Sequence, residues 1–271
     1  LEKEFYTLDN NLKPIREVFK SIYKKGDVIL IVNYYGLQDL VSDIAYIRSV
    51  DEEAIIIEDD VQAYYEFKKD LNLVDFKFTS LRKTFAIPDG GLVKTKYPLP
   101  KVEKPNTFGQ YKAAAALLKS MRDGNFNDQI YLELFEKGET LIDDEQECGM
   151  SRIAEKLYGV VDEERVKVRR LNNAQYLISE LEKSGIAPAL PVLEDHVPLF
   201  IPITLPNRDE VRRAMFKNEI FCPVHWPHEG LNLEKGRQMA ETELSLIIDQ
   251  RYGVKDMDEI ISVIKANKKE N

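Results

Sequence analysis

Apolar residues recur three and four apart over 13–25, where Ile15, Val18, Phe19 and Ile22 share one helical face and Gly26 supplies the stop. The next segment, 27–33, is almost continuously apolar (Val-Ile-Leu-Ile-Val), the pattern of a strand covered on both faces. Residues 37–49 return to helical spacing, 54–58 and 74–79 read as further buried strands, and 92–95 as a short one. This β-α-β alternation indicates an α/β layer with a largely parallel sheet. A Pro-rich polar stretch, 97–105, reads as a connector, followed by helical patterns over 109–122, 129–136 and 149–158. The pattern over 162–184 is the longest without Gly or Pro. Beyond it, strand-like 199–204 and 220–222 and helical 209–217 and 257–266 suggest a smaller α+β unit.

Composition narrows the class. The chain of 271 residues holds 38 Lys plus Arg against 47 Asp plus Glu, a formal net charge of −9. Such a chain repels phosphate backbones, so nucleic acid is not expected as a partner. No run of about 18 apolar residues suggests a membrane span, and the first residues show no signal-peptide pattern. Cys148 and Cys222 lie far apart, which fits a reducing, cytoplasmic setting and gives neither a disulfide framework nor a cysteine-rich metal site. No metal site is expected from three histidines, of which His225 and His228 are separated by Trp226-Pro227.

In parallel sheets, ligands sit beyond the carboxyl ends of the strands. That directs attention to Asn33-Tyr34-Tyr35-Gly36, to Asp59-Asp60-Val61-Gln62 and to 80–91. Asp59, just past a buried strand, can hold a positive charge on a ligand, or it can simply cap a helix or close a turn. Lys83 is either a solvated surface charge or an amine able to form a Schiff base with a carbonyl. Ser80 nearby can donate to a phosphate oxygen, and Pro88-Asp89-Gly90-Gly91 reads as a tight turn leading into 92–95. Tyr34 and Tyr35 could line a cleft or pack at its rim. His225 and Trp226 could approach a substrate or form a structural turn. Arg251 could bind an anion or pair with a neighbouring acid.

Taken together, Glu58-Asp59-x-x-Gln62, Ser80-x-x-Lys83 and Gly90-Gly91 resemble the DegT/DnrJ/EryC1/StrS family of pyridoxal-phosphate aminotransferases of fold type I. Asp60-Val61 stands where the family carries an Ala pair. The segments Tyr6-Thr-Leu-Asp9, Val32 to Gly36, Gly149-Met-Ser151, Arg169 to Asn173 and Leu244 to Arg251 follow in the expected order, so the resemblance covers nearly the whole chain.

The resemblance implies a three-layer, aspartate-aminotransferase-like α/β large domain with a mainly parallel sheet, plus a smaller α+β domain. The large domain would occupy 1–160 and the small one 161–271. It implies pyridoxal 5′-phosphate as cofactor, with Lys83 as the Schiff-base lysine, Asp59 on the pyridine nitrogen, Gln62 on the phenolic oxygen and Ser80 on the phosphate. The implied reaction moves an amino group from a donor such as glutamate to a keto-sugar, nucleotide-linked in this family, in a homodimer with shared active sites. Lys83, in place of the histidine of the dehydrating branch, points to transamination. The family's phosphate-binding turn and ring-stacking aromatic would precede Leu1. The chain would then be the latter part of a longer enzyme, exposing sheet or helix surfaces meant to be covered. A different pyridoxal-phosphate reaction and a catalytically silent binding module are the alternatives.

Overall fold

A computed structural model describes residues 2–71, 73–102, 104–121, 127–144, 148–225 and 234–269. In chain order the elements are α1 (Arg16–Ile22), β1 (Val28–Val32), a 3-10 turn (Tyr34–Gly36), α2 (Val41–Val50), β2 (Ile55–Asp59), α3 (Tyr64–Lys68), β3 (Phe76–Ser80), α4 (Leu81–Thr84) and β4 (Gly91–Thr95). They continue with α5 (Phe108–Ser120), α6 (Asp128–Asp144), α7 (Arg152–Tyr158), α8 (Glu163–Glu182), β5 (Phe200–Thr204), α9 (Arg208–Lys217), α10 (Glu234–Thr242), β6 (Glu243–Ile247) and α11 (Val254–Asn267). None of the described helices is long and apolar enough to cross a membrane. Two compact units emerge. One comprises Val28–Val32 and Ala54–Asp162, the other Leu1–Asp27, Asn33–Glu53 and Glu163–Asn271.

The first unit holds a four-stranded sheet in the order β1-β2-β3-β4. β1, β2 and β3 are parallel, and β4 returns antiparallel to β3. Parallel neighbours need crossover connections, and the chain supplies them through α2 and α3. Side chains alternate between the two faces with a period of two. Ile29, Ile31, Ile56 and Glu58 share one face and are buried, joined across the ladder by Lys77.

The other face differs from the reading of strands sealed on both sides. Val28 is 57% exposed, Leu30 47% and Val93 52%. A strand is sealed on both faces only when two layers pack on it, and among the described residues one face of this sheet lies open.

Burying Glu58 and Lys77 requires that they pair, because an isolated charge in the interior is costly. Lys77 Nζ lies 3.1 Å from Glu58 Oε2 and 3.8 Å from Asp60 Oδ2, with Lys77, Glu58 and Asp60 all buried. Two acids thus face one ammonium.

In the second unit β5 and β6 form an antiparallel pair. Ile201 and Ile203 of β5, Leu244 and Leu246 of β6, Val211 and Met215 of α9, and Met257, Ile260 and Ile264 of α11 form its core. α8 contributes Ala174, Leu177 and Leu181, spaced three and four apart. Arg170 and Asn173 extend that stripe as polar anchors. Arg170 donates to Gln250 Oε1 (3.0 Å) and to the Leu199 carbonyl (3.2 Å), and Asn173 Nδ2 to the Ile248 and Tyr252 carbonyls (3.2 and 3.1 Å). Near the N-terminus, Asp9 Oδ1 accepts from the Asn11 and Lys13 amides, closing a turn.

Two expectations are corrected here. The strand read at 220–222 is not part of a ladder. Pro223 follows it with no N–H to give, and Ser245 N to the Pro223 carbonyl (3.1 Å) is the bond that ties the segment to β6. The helix read from 149 begins at Arg152, because Ser151 caps it, its Oγ accepting from Ala154 N (3.2 Å).

The buried trio has a measurable consequence. Burial and the Glu58 charge push the Asp60 carboxyl up to about 9, while Lys77 opposes them. Folded Asp60 therefore keeps a proton that the unfolded chain releases above about pH 4. Its contribution to stability is complete below that pH and is lost as pH rises through the folded value. Asp60→Asn, which cannot ionise, should gain on the native protein by up to about 1.4 kcal/mol per pH unit between about pH 5 and about pH 9 in urea unfolding. A pH-independent difference would show that the carboxyl takes up no proton on folding.

Candidate active site

The carboxyl ends of β2 and β3 bring three of the sequence-selected residues to one rim. Register pairs Asp59 with Phe78, and Ser80 lies two residues beyond Phe78, so Asp59 and Ser80 share a face. It is the open face, opposite Lys77. Asp59 is half-buried, and its Oδ1 accepts from Val61 N at 2.9 Å. The Asp therefore closes its own turn, as its local sequence allowed. Burial raises its carboxyl and the Val61 amide partly offsets this, and a cation held against it would lower it again. Gln62 sits half-buried in the same turn.

Lys83 owes its orientation to a helix of one turn. In α4, Leu81 and Thr84 are three apart and buried, which turns Arg82 and Lys83 outward. A serine in the position of Ser80 usually caps the helix it precedes, but Ser80 makes no side-chain cap bond. The Leu81 amide is taken instead by the Gly90 carbonyl at 3.0 Å. Lost hydration, with the neighbouring Arg82 charge, lowers the Lys83 ammonium below the usual lysine range. Among the described residues Lys83 has neither an ion-pair nor a hydrogen-bond partner.

Behind α4 the support is polar on one side and aromatic on the other. Asp89 is 3% exposed; its Oδ1 accepts from Asn106 Nδ2 and Ser151 N (both 2.8 Å) and its Oδ2 from Ser151 Oγ (2.6 Å). Asn106 Oδ1 in turn accepts from Gly109 N (2.9 Å). Gly109 approaches Asp89 so closely that a Cβ there would overlap the carboxylate. Gly90 adopts φ +106°, a conformation that suits glycine. Phe85 packs edge-on against Tyr64 at 4.7 Å, and the Tyr64 and Tyr158 hydroxyls meet at 2.6 Å.

The remaining candidates lie in the second unit. Tyr35 is wholly buried at φ +62°, its carbonyl accepting from Leu199 N (2.8 Å). Its ring meets His225 edge-on at 5.5 Å. Tyr34 beside it is half-buried. His225 Nδ1 lies 2.7 Å from Ser245 Oγ, which donates to the buried Glu243 carboxylate. Trp226 falls outside the described residues. Arg251 forms a two-pronged ion pair with Asp249, its Nη2 2.6 Å from Oδ2 and its Nε 3.0 Å from Oδ1. The paired reading of Arg251 is the one realised.

Sequence reasoning missed Asp89, Asn106 and Ser151 as a unit, and the pairing of Asp60 with Lys77. Gly149-Met-Ser151 stood out in the sequence, but nothing local tells that Ser151 meets a residue 62 positions earlier.

No family model and no curated protein matches the sequence. Solved structures do match in fold. The sugar aminotransferase Spr1654 of Streptococcus pneumoniae in its PMP form superposes with TM-score 0.67 at 15% identity, over 96% of this chain and 74% of that one. CalS13, a sugar aminotransferase of Micromonospora echinospora, gives 0.61 at 15% identity over 96% and 73%. A DegT DnrJ EryC1 StrS aminotransferase of Brucella abortus gives 0.60 at 16% identity over 97% and 72%. The chain thus has the α/β fold of the type I aminotransferases, as its motifs implied.

Because Lys83 is exposed and bonds to none of the described residues, its removal should cost the fold little. Lys83→Met is expected to leave stability within about 0.5 kcal/mol of the native protein in chemical denaturation. A loss of several times that would mean the ammonium is held by a partner.

Proposed function

We propose that this chain is the lysine-bearing part of a pyridoxal-phosphate-dependent aminotransferase that transfers an amino group from an amino-acid donor, glutamate by resemblance, to a keto-sugar. One observation carries the reading: an amine of lowered basicity, bonded to none of the described residues, stands on the same strand-end rim as a half-buried carboxylate. The fold shared with sugar aminotransferases supports it.

The residues present suit the cofactor. Asp59 would hold a proton on the ring nitrogen, and that contact would favour its carboxylate form against the effect of burial. Ser80 Oγ, which caps no helix, would donate to a phosphate oxygen. Gln62 would contact the ring's phenolic oxygen, and Lys83 Nζ would hold the aldehyde carbon. When bound, the cofactor supplies an electron sink for the pair released at the donor's α-carbon. Lys83 Nζ, displaced from the aldehyde carbon by the donor's amine and more readily neutral than an ordinary lysine, would then serve as the base for the donor's Cα proton. Tyr34, Tyr35, His225 and Trp226 are the proposed substrate-side residues, a nucleotide-linked keto-sugar the proposed acceptor, and a homodimer with shared sites the proposed assembly.

The experiment is a trapping measurement. Protein incubated with pyridoxal phosphate and reduced with borohydride should carry a pyridoxyl group on the peptide containing Lys83. Lys83→Ala should abolish that label, and Asp59→Asn should retain it while lowering amino transfer from glutamate to a keto-sugar by roughly 100-fold or more. No label on Lys83 in the native protein would refute the cofactor assignment. A label without amino transfer would point to a different reaction on the same cofactor.

A further inference from the structure

The helix that carries Lys83 is four residues long. A single turn has no stability of its own, because nucleating a helix costs more than its first hydrogen bond returns. Its place must therefore be imposed from outside. Two contacts do so: the burial of Leu81 and Thr84, and the bond from Leu81 N to the Gly90 carbonyl.

Gly90 is held on one side by β4, whose first residue Gly91 pairs with Ser80, and on the other by the turn that precedes it. That turn also contains Asp89, whose carboxylate is buried and accepts three bonds from residues 17 and 62 positions away in sequence. Hydrogen bonds to a buried carboxylate are among the stronger ones available to a protein. Gly109 closes the remaining side of the carboxylate, leaving no space for a side chain. A loop with no other regular structure is thereby clamped to the start of α7, where Ser151 is the cap, and to Asn106 just before α5. The chain of dependence runs from Ser151 and Asn106 to Asp89, then Gly90, Leu81 and Lys83.

We propose that Asp89 is a positioning residue for Lys83, holding the 85–90 turn so that Gly90 pins the first amide of the lysine-bearing helix. This deepens the proposed function and rests on it for the meaning of the lysine's position. Asp89 itself touches neither cofactor nor substrate in this account. With the clamp weakened, Leu81 N would lose its acceptor and α4 would fray. The partial desolvation that the ordered turn imposes on Lys83 would ease, and its basicity would rise toward that of a free lysine.

The test uses the full chain carrying Asp89→Asn, which keeps the shape and removes the charge. Ser151→Ala, which deletes one donor, is the second variant should the first not fold. Amide hydrogen exchange monitored by NMR should show Leu81 N exchanging at least about 10-fold faster, with the Ile56 and Ile57 amides of β2 unchanged. The pH midpoint for covalent capture of pyridoxal phosphate at Lys83 should move up toward that of an ordinary lysine, a shift that a uniform loss of stability would not give. Unchanged Leu81 exchange in a folded variant overturns the proposal, and so does an unchanged capture midpoint. If native protein captures no pyridoxal phosphate, the functional reading fails, and the exchange rate of Leu81 alone then decides whether Asp89 is the clamp.

Discussion

Three consecutive acids, Glu58, Asp59 and Asp60, end the second strand of the sheet, and the alternation of a strand sends them to opposite sides. Glu58 and Asp60 are buried against Lys77, whereas Asp59 alone lies on the open face. Removing Lys77 would leave two carboxyls in a space that tolerates neither as a free charge. The single ammonium on β3 is thus what permits this strand to end as it does. In the same register Asp59 stands beside Phe78, two residues before Ser80.

The same economy of contacts recurs wherever segments distant in sequence meet. Arg170 and Asn173 tie α8 to the segment after β6, and Ser151 ties α7 to the turn below Lys83. These are the segments through which the sequence resembles the aminotransferases over most of its length. In the structure their polar side chains chiefly serve buried or half-buried backbone groups. The resemblance is therefore carried largely by bonds that hold the fold, with Asp59, Gln62, Ser80 and Lys83 the residues that the proposed function assigns to a cofactor.

Much of the architecture was legible along the chain. The parallel β-α-β order was readable because each crossover helix and each strand carries its own periodicity. The second antiparallel strand, β6, was not: Glu243-Leu244-Ser245-Leu246 alternates polar and apolar, yet all four are buried, so the alternation does not mark a solvent face. The segment 220–222 shows the converse, an apolar run with strand composition that lies beside a sheet without pairing into it. Pairing depends on partners and available N–H groups, which composition does not record.

By itself the sequence determined the parallel β-α-β order of the first unit, the strand ends at which chemistry-bearing residues fall, and the choice of Lys83 and Asp59. All of these follow from local pattern and from motif order. Only the tertiary structure decided that Asp60 is neutralised beneath the sheet, that Arg251 is spent on Asp249, and that Asp89 is clamped by Asn106 and Ser151. Each of these depends on a partner brought close by the fold. The free energy of a charged group is set by what surrounds it in space, and neighbours along the chain are a poor guide to that.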